Sequence, residues 1–241
     1  MPRDGYAIVV LDVDQADPGT AAMLSGDDVM LADYLSGDFY LGFARNTYAV
    51  GPQDGPAKVK QVRALYKTGS CAIMYGTGRD NLSDVLGVPL DAAKSVIRRH
   101  RARYVRYWEW VRSNLDRATI DGFLRTSSGW TLFLPRPTAA MCFPVQAAGA
   151  DLLHLASLRM EAAGIPIVWP NHDSVAAEVP VRNVLDVALE MVRIWEAASL
   201  DLFGGKLRVS IQIVGPNARY FKDERDEAWW AAISRQLGVK P

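Results

Sequence analysis

The sequence predicts an α+β fold in which a small β-sheet is interrupted by a long helical insertion. Three observations point there. Short apolar runs rich in β-branched residues gather at the two ends of the chain, at 6–11, 165–169, 174–179 and 207–214. The middle, from about 21 to 163, carries mostly helical patterning. The length of 241 residues, 49% of them hydrophobic, supplies one large core or two small ones.

The first run, 6–11, leads straight into Asp12 and reads as a buried strand ending at a carboxylate. Asp17-Pro18-Gly19-Thr20 reads as a turn, with a helix from about Ala21 and another over 27–35 that a Ser-Gly-Asp triplet stops. A loop at 52–56 precedes a helix over 58–75, ended by Gly76-Thr77-Gly78. Helices follow at 81–86 and, as one piece, 90–110; residues 119–134 alternate around Ser127-Ser128-Gly129 as a hairpin. Residues 144–163 read as a helix with Pro144 in its first turn and Gly164 just past its end. Strands at 165–169 and 174–179 are joined by Pro170-Asn171-His172-Asp173; a helix over 181–200 and a strand over 207–214 follow.

Charge excludes some functions and localises others. Lys plus Arg and Asp plus Glu number 27 each, so the chain as a whole has no net field for a polyanion. Residues 1–55 carry nine acids against two arginines, whereas 94–112 carry seven basic residues against Glu109. That asymmetry suits a molecule handling cations with one part and a polyanion with another; solvated helix faces are the alternative for either run. Interleaved with Tyr104, Tyr107, Trp108 and Trp110, the basic run has the chemistry to bind single-stranded nucleic acid, or to pack as a helix with exposed arginines. Two cysteines are too few for a disulfide framework and fit a reducing cytosol. No apolar run reaches the length of a membrane span.

Candidate chemistry follows from spacing. Arg63, Lys67, Cys71 and Tyr75 recur every four residues, one slowly drifting helix stripe. Two cations roughly 6 Å apart along a helix suit different phosphates of one triphosphate; an amphipathic helix whose basic residues are merely solvated is the alternative. Asp12 at a strand end and Asp173 between two strands emerge at the same edge if those strands pair in one sheet. Such a pair holds two Mg²⁺ ions about 4 Å apart, the usual kit for phosphoryl transfer. An ordinary turn role is the alternative for each acid, and for His172. No zinc spacing and no phosphate-binding glycine loop is present.

Taken in order, these residues resemble the polymerase core of family A DNA polymerases, the DNA polymerase I type. The stretch 5–15 is similar to the family's first catalytic motif, and Leu24-Ser25-Gly26-Asp27 follows at the family's distance. Arg63, Lys67, Tyr75 and Gly76 match the nucleotide-binding fingers helix, residues 144–152 the helix bearing a primer–template Gln, and His172-Asp173 the third motif. The resemblance implies an antiparallel palm sheet flanked by helices, with palm at 1–26, helical fingers at 27–135 and palm again at 136–241. It implies a template-directed DNA polymerase that adds dNTPs to a primer 3′-OH with two Mg²⁺ ions. Asp12 and Asp173 would be the catalytic acids and, with Val13, contact the metals. Arg63 and Lys67 would grip the triphosphate; Cys71, Tyr75, Gln15, Asp17 and Tyr40 would complete the nucleotide pocket. Gln146, His172 and Gly76 would meet primer–template DNA. A thumb and exonuclease parts would come from a second polypeptide or a missing segment, in the cytoplasm of a bacterium or a phage-infected cell.

Some positions depart from the pattern. Asp17 stands for the usual Glu that blocks a ribose 2′-OH, Cys71 for an aromatic ring, Tyr40 for a His, Gly19 and Trp130 for Arg, and Ser174 for Glu. These leave open a ribonucleotide-tolerant or RNA polymerase-like enzyme, and a non-catalytic nucleic-acid-binding relative.

Overall fold

The computed structural model describes residues 1–133, 135–222 and 224–238. Its main sheet has the order β4-β5-β1-β6, with every neighbouring pair antiparallel: β1 (Tyr6–Val13), β4 (Ile167–Asn171), β5 (Ser174–Pro180) and β6 (Val209–Val214). The sheet therefore joins strands from both ends of the chain, as the sequence predicts. Alternation along β1 sends Val9, Leu11 and Val13 to one face, where they pack with Val175, Ala177 and Val179 of β5. Two long helices cover that face, α8 (Pro137–Ala162) and α9 (Val184–Phe203), through Leu152, Ala156, Met160, Met191 and Trp195.

Between β1 and α8 lies the helical insertion: α1 (Ala16–Ser25), α2 (Asp28–Leu35), α3 (Phe39–Asn46), α4 (Pro56–Met74), α5 (Arg79–Leu86), α6 (Leu90–Arg103) and α7 (Val105–Asp121), then the short hairpin β2 (Phe123–Arg125) and β3 (Thr131–Phe133). A last helix, α10 (Glu224–Leu237), follows the sheet. Sequence patterning picks out neither α3 nor α10. Asp38, read as part of a helix stop, is also the N-cap of α3, accepting the Leu41 N–H at 3.0 Å.

Several boundaries shift by two or three residues, β4 to Ile167–Asn171 for the expected 165–169 among them; four larger differences from the sequence reading have local reasons. Asp17–Thr20 is the start of α1 rather than a turn, because Pro18 is tolerated where helical N–H groups lack partners anyway. The helix over 90–110 is two helices. Tyr104 leaves helical geometry because its hydroxyl donates to Asp33 at 2.8 Å, beside a two-pronged Arg103–Asp33 pair at 2.6 and 2.7 Å. Pro137, not Pro144, occupies the first turn of α8; Pro144 lies inside the helix. The hairpin pairs only three residues a strand because α7 runs on to Asp121; its expected end, Leu134, lies outside the described residues.

The insertion has its own aromatic core. His100 of α6 is fully buried, with the rings of Phe43, Tyr104, Tyr107 and Trp108 at 4.8–6.3 Å. Its Nδ1 accepts the Trp108 indole N–H at 3.1 Å, and its Nε2 has no partner among the described residues. Burial, with Arg101 nearby, pushes the imidazole down to about 3. The unfolded chain therefore binds a proton below about pH 6.5 that the folded chain refuses, and folding stability should fall as pH drops, by about 1.4 kcal/mol per unit. We expect about 2 kcal/mol less stability at pH 5 than at pH 7 by urea denaturation. His100→Phe should lose at least half of that difference; an undiminished loss would refute this account.

Candidate active site

The β1–β5 register places Asp12 opposite Ser174, so Asp173 falls opposite Val13, in the turn between β4 and β5. The Val13 N–H donates to the Asp173 carbonyl at 3.0 Å, and His172 takes the turn's left-handed position, with φ 55°. The two acids thus reach one end of the sheet, as the sequence reading required. The Val13 side chain is buried in the core, so only its backbone borders the site. Asp12 points away from the helix-covered face. Burial, and then the charge of Asp173, hold its carboxyl above the ordinary range, against the lowering effect of Lys222.

A cleft of about 430 Å³ opens over this sheet end. The α4 stripe reaches it: Arg63, Lys67 and Cys71 line it together with Asp12, Asp14, Gln15, Asp17, Asp38, Tyr40, His172, Asp173, Arg208 and Lys222. Arg63 is ion-paired with Asp38. Lys67 is exposed and makes no ion pair among the described residues. The cleft thus mixes carboxylates with cations, Asp38 paired with Arg63 and Asp12 with Lys222, a lining with the chemistry to meet both divalent ions and a polyphosphate.

Smaller interactions fix the walls. Gln15, left-handed at the start of α1, accepts the Phe39 N–H at 2.9 Å and so ties α3 to the strand end. The Tyr75 hydroxyl donates to Asp17, and Gln146, exposed on α8, lies beside that hydroxyl. Burial and then Asp17 push the phenol far above its usual range, so it keeps the proton that it donates. Burial likewise raises the Cys71 thiol, whose sulfur is 3.7 Å from the Tyr40 hydroxyl. Tyr75, Gly76 and Gln146 do not line this cleft. Gly76 faces Met141 and borders a second cavity of about 470 Å³ that Arg79, Lys94, Arg98 and Arg101 also line.

Two departures gain a physical reason. A Cβ on Gly19 would sit 2.7 Å from Leu207 and from the Tyr34 ring, so no longer side chain fits there. Tyr34 accepts the Arg208 N–H at 2.7 Å, and the Arg208 guanidinium lies 4.6 Å over its ring. Trp130 donates its indole N–H to Asp151 at 2.7 Å. Arg208, Lys222 and Asp38 are cleft residues that the sequence reading did not single out. Asp38 alone had a signal, as a cap before an apolar stretch.

The residues suit Mg²⁺ by the chemistry of the donor set: two hard carboxylates at one strand end, in a spot that already draws the Lys222 ammonium to 3.2 Å from Asp12 Oδ2. Among the described residues, no group of three or more His, Cys, Asp or Glu side chains gathers as a metal cage.

Residues 1–217 match the profile of DNA polymerase family A. The chain belongs to that family. It is 26% identical over 203 residues to the thermostable DNA polymerase I of Thermus thermophilus, a match covering 77% of this chain and 24% of that protein. It is 24% identical over 195 residues to the DNA polymerase of Mycobacterium phage D29, covering 79% of this chain and 32% of that one. This family A chain thus spans about a quarter of the length of the Thermus relative that it matches. A solved structure described as the POL domain of Pol1 from M. smegmatis in complex with DNA primer-template and dNTP shares the fold. Its TM-score is 0.77 at 21% identity, covering 88% of this chain and 40% of that one.

Proposed function

We propose that this chain is the catalytic core of a template-directed DNA polymerase that adds dNTPs to a primer 3′-OH. The observation that carries the reading is that Asp12, Asp173, Arg63 and Lys67 line one cleft together. Asp12 and Asp173 would hold two Mg²⁺ ions. Bound there, Mg²⁺ lowers the pKa of an attacking hydroxyl and neutralises a leaving pyrophosphate. Arg63 and Lys67 then hold the triphosphate of the incoming dNTP. Gln15 keeps α3, and with it Tyr40, against the nucleotide. Gln146, His172 and Gly76 face the primer–template DNA. In this reading 1–26 and 136–241 form the palm and 27–135 the fingers. A thumb, and any exonuclease, come from another polypeptide or segment in a bacterial or phage-infected cytoplasm. No helix among the described residues is long and apolar enough to cross a membrane.

The test is primer extension with Mg²⁺ on a primed template, with a thumb-bearing partner supplied. Incorporation of the complementary base supports the reading; untemplated addition, or none, rejects it.

The Asp17–Tyr75 hydrogen bond carries a second expectation. Of the pair only Asp17 lines the cleft, and in this reading it stands where a nucleotide sugar would lie once Arg63 and Lys67 hold the phosphates. Asp17→Ala opens space for a 2′-OH, and the preference for dNTP over NTP should fall about tenfold or more in competing kcat/KM values. An unchanged ratio would show that Asp17 does not read the sugar.

A further inference from the structure

The face of the main sheet opposite α8 and α9 carries Val10 and Asp12 of β1, Ala176 of β5 and Trp169 of β4, which the register aligns. Val10 and Ala176 are nevertheless buried. The chain after β6 lies on that side. It turns at Gly215, whose carbonyl accepts the Ala218 N–H at 3.2 Å, with Asn217 left-handed at φ 61°. Tyr220 then meets the Trp169 ring edge-on at 6.0 Å, and the Phe221 carbonyl accepts from Gln212 at 3.4 Å. Lys222 ends this strap with its ammonium 3.2 Å from Asp12 Oδ2, and the Lys222 N–H donates to Asp226 of α10 at 3.1 Å. Lys222 and Asp12 both border the main cleft and a smaller one of about 340 Å³ beneath the strap.

We propose that Lys222 is a built-in competitor for the divalent cation. Its ammonium rests on Asp12 where a metal ion would bind, so loading the site requires Lys222 to withdraw. This deepens the proposed function and rests on its reading of Asp12 as a metal ligand. The Lys222 side chain is 63% exposed, against 26% for Asp12, so the pair is a weak, reversible one and the lysine has open water into which to swing. A lysine serves here because its single compact charge sits on a flexible stem. The strap brings this charge to a carboxylate 210 positions away in the chain, one that is already crowded by Asp173. Holding Lys222 there offsets the repulsion between the two acids until a metal ion replaces it.

The experiment is Mn²⁺ binding to the full chain without nucleotide or DNA, read by electron paramagnetic resonance of free Mn²⁺. Lys222→Gln should bind Mn²⁺ about three- to tenfold more tightly than wild type, and Lys222→Arg within twofold of it. Lys67→Gln, which removes a cation from the same cleft without touching Asp12, should also stay within twofold. Equal tightening in Lys67→Gln would reduce the effect to bulk charge and overturn the proposal. So would an unchanged or weaker affinity in Lys222→Gln while Asp12→Ala abolishes binding. If Asp12→Ala binds Mn²⁺ as wild type does, Asp12 is not a ligand, and both this proposal and the metal reading fall.

Discussion

Asp173→Ala is expected to slow template-directed nucleotide addition by about 10³-fold or more while leaving the fold intact, and Asp12→Ala to do the same. A loss of that size is about 4 kcal/mol of transition-state stabilisation, in the range of a lost metal ligand or oxyanion donor. The structure separates this loss from a folding defect. Asp173 is tied to β1 through its backbone carbonyl, which accepts the Val13 N–H, and alanine keeps that bond. Asp12 sits in a full antiparallel ladder between Ser174 and Ser210, which is likewise backbone. The two carboxyl groups press on each other, since Asp173 is a cause of the raised Asp12 carboxyl. Removing either should leave thermal stability in metal-free buffer unchanged or slightly higher. The measurement is single-turnover primer extension at saturating Mg²⁺ beside a melting curve. A residual rate within tenfold of wild type would remove the acids from the chemistry. A collapsed melting temperature would show that Asp173 is structural.

Which parts of this site were legible in the sequence follows from how far each depends on distant contacts. The apolar run into Asp12 is local, and so is the four-residue spacing of Arg63, Lys67 and Cys71, which one helix turns into one wall without outside help. That Asp12 and Asp173 meet was only conditional in the sequence. It needed β5 to pair with β1, and the alternation of Val9, Leu11 and Val13 against Val175 and Ala177 is what selects that register. Lys222 had no such signal, since it reaches Asp12 only because a turn at Gly215 folds the strap back over the sheet. The helix break at Tyr104 was equally invisible. Its cause is Asp33, 71 positions upstream, and periodicity within 90–110 holds no record of it. Pro144 misled for a related reason: a proline in the first turn is the commoner case, but Pro137 had already taken that place.

Asp27 carries the largest expected effect on stability. It is 2% exposed, and both its carboxyl oxygens are used: Oδ1 accepts the Met30 N–H at 2.9 Å, and Oδ2 accepts the Tyr107 N–H at 3.0 Å. The first is an ordinary N-cap of α2. The second caps α7, whose own cap residue, Tyr104, makes no side-chain cap bond, since its phenol is too long to turn back onto the first-turn N–H groups. One side chain thus satisfies free N–H groups of two helices, the second at Tyr107, 80 positions along the chain from Asp27, and binds the start of the insertion to its aromatic core. Asp27→Ala leaves both N–H groups buried without partners, at about 1–2 kcal/mol each, so we expect a loss of about 3 kcal/mol in urea denaturation. The corresponding fall in melting temperature is about 6–12 °C for a chain of this size. Asp27→Asn keeps one acceptor oxygen and should lose about half as much. A loss below about 1 kcal/mol in the alanine variant would mean that water reaches these N–H groups and that the double cap does not hold the insertion in place.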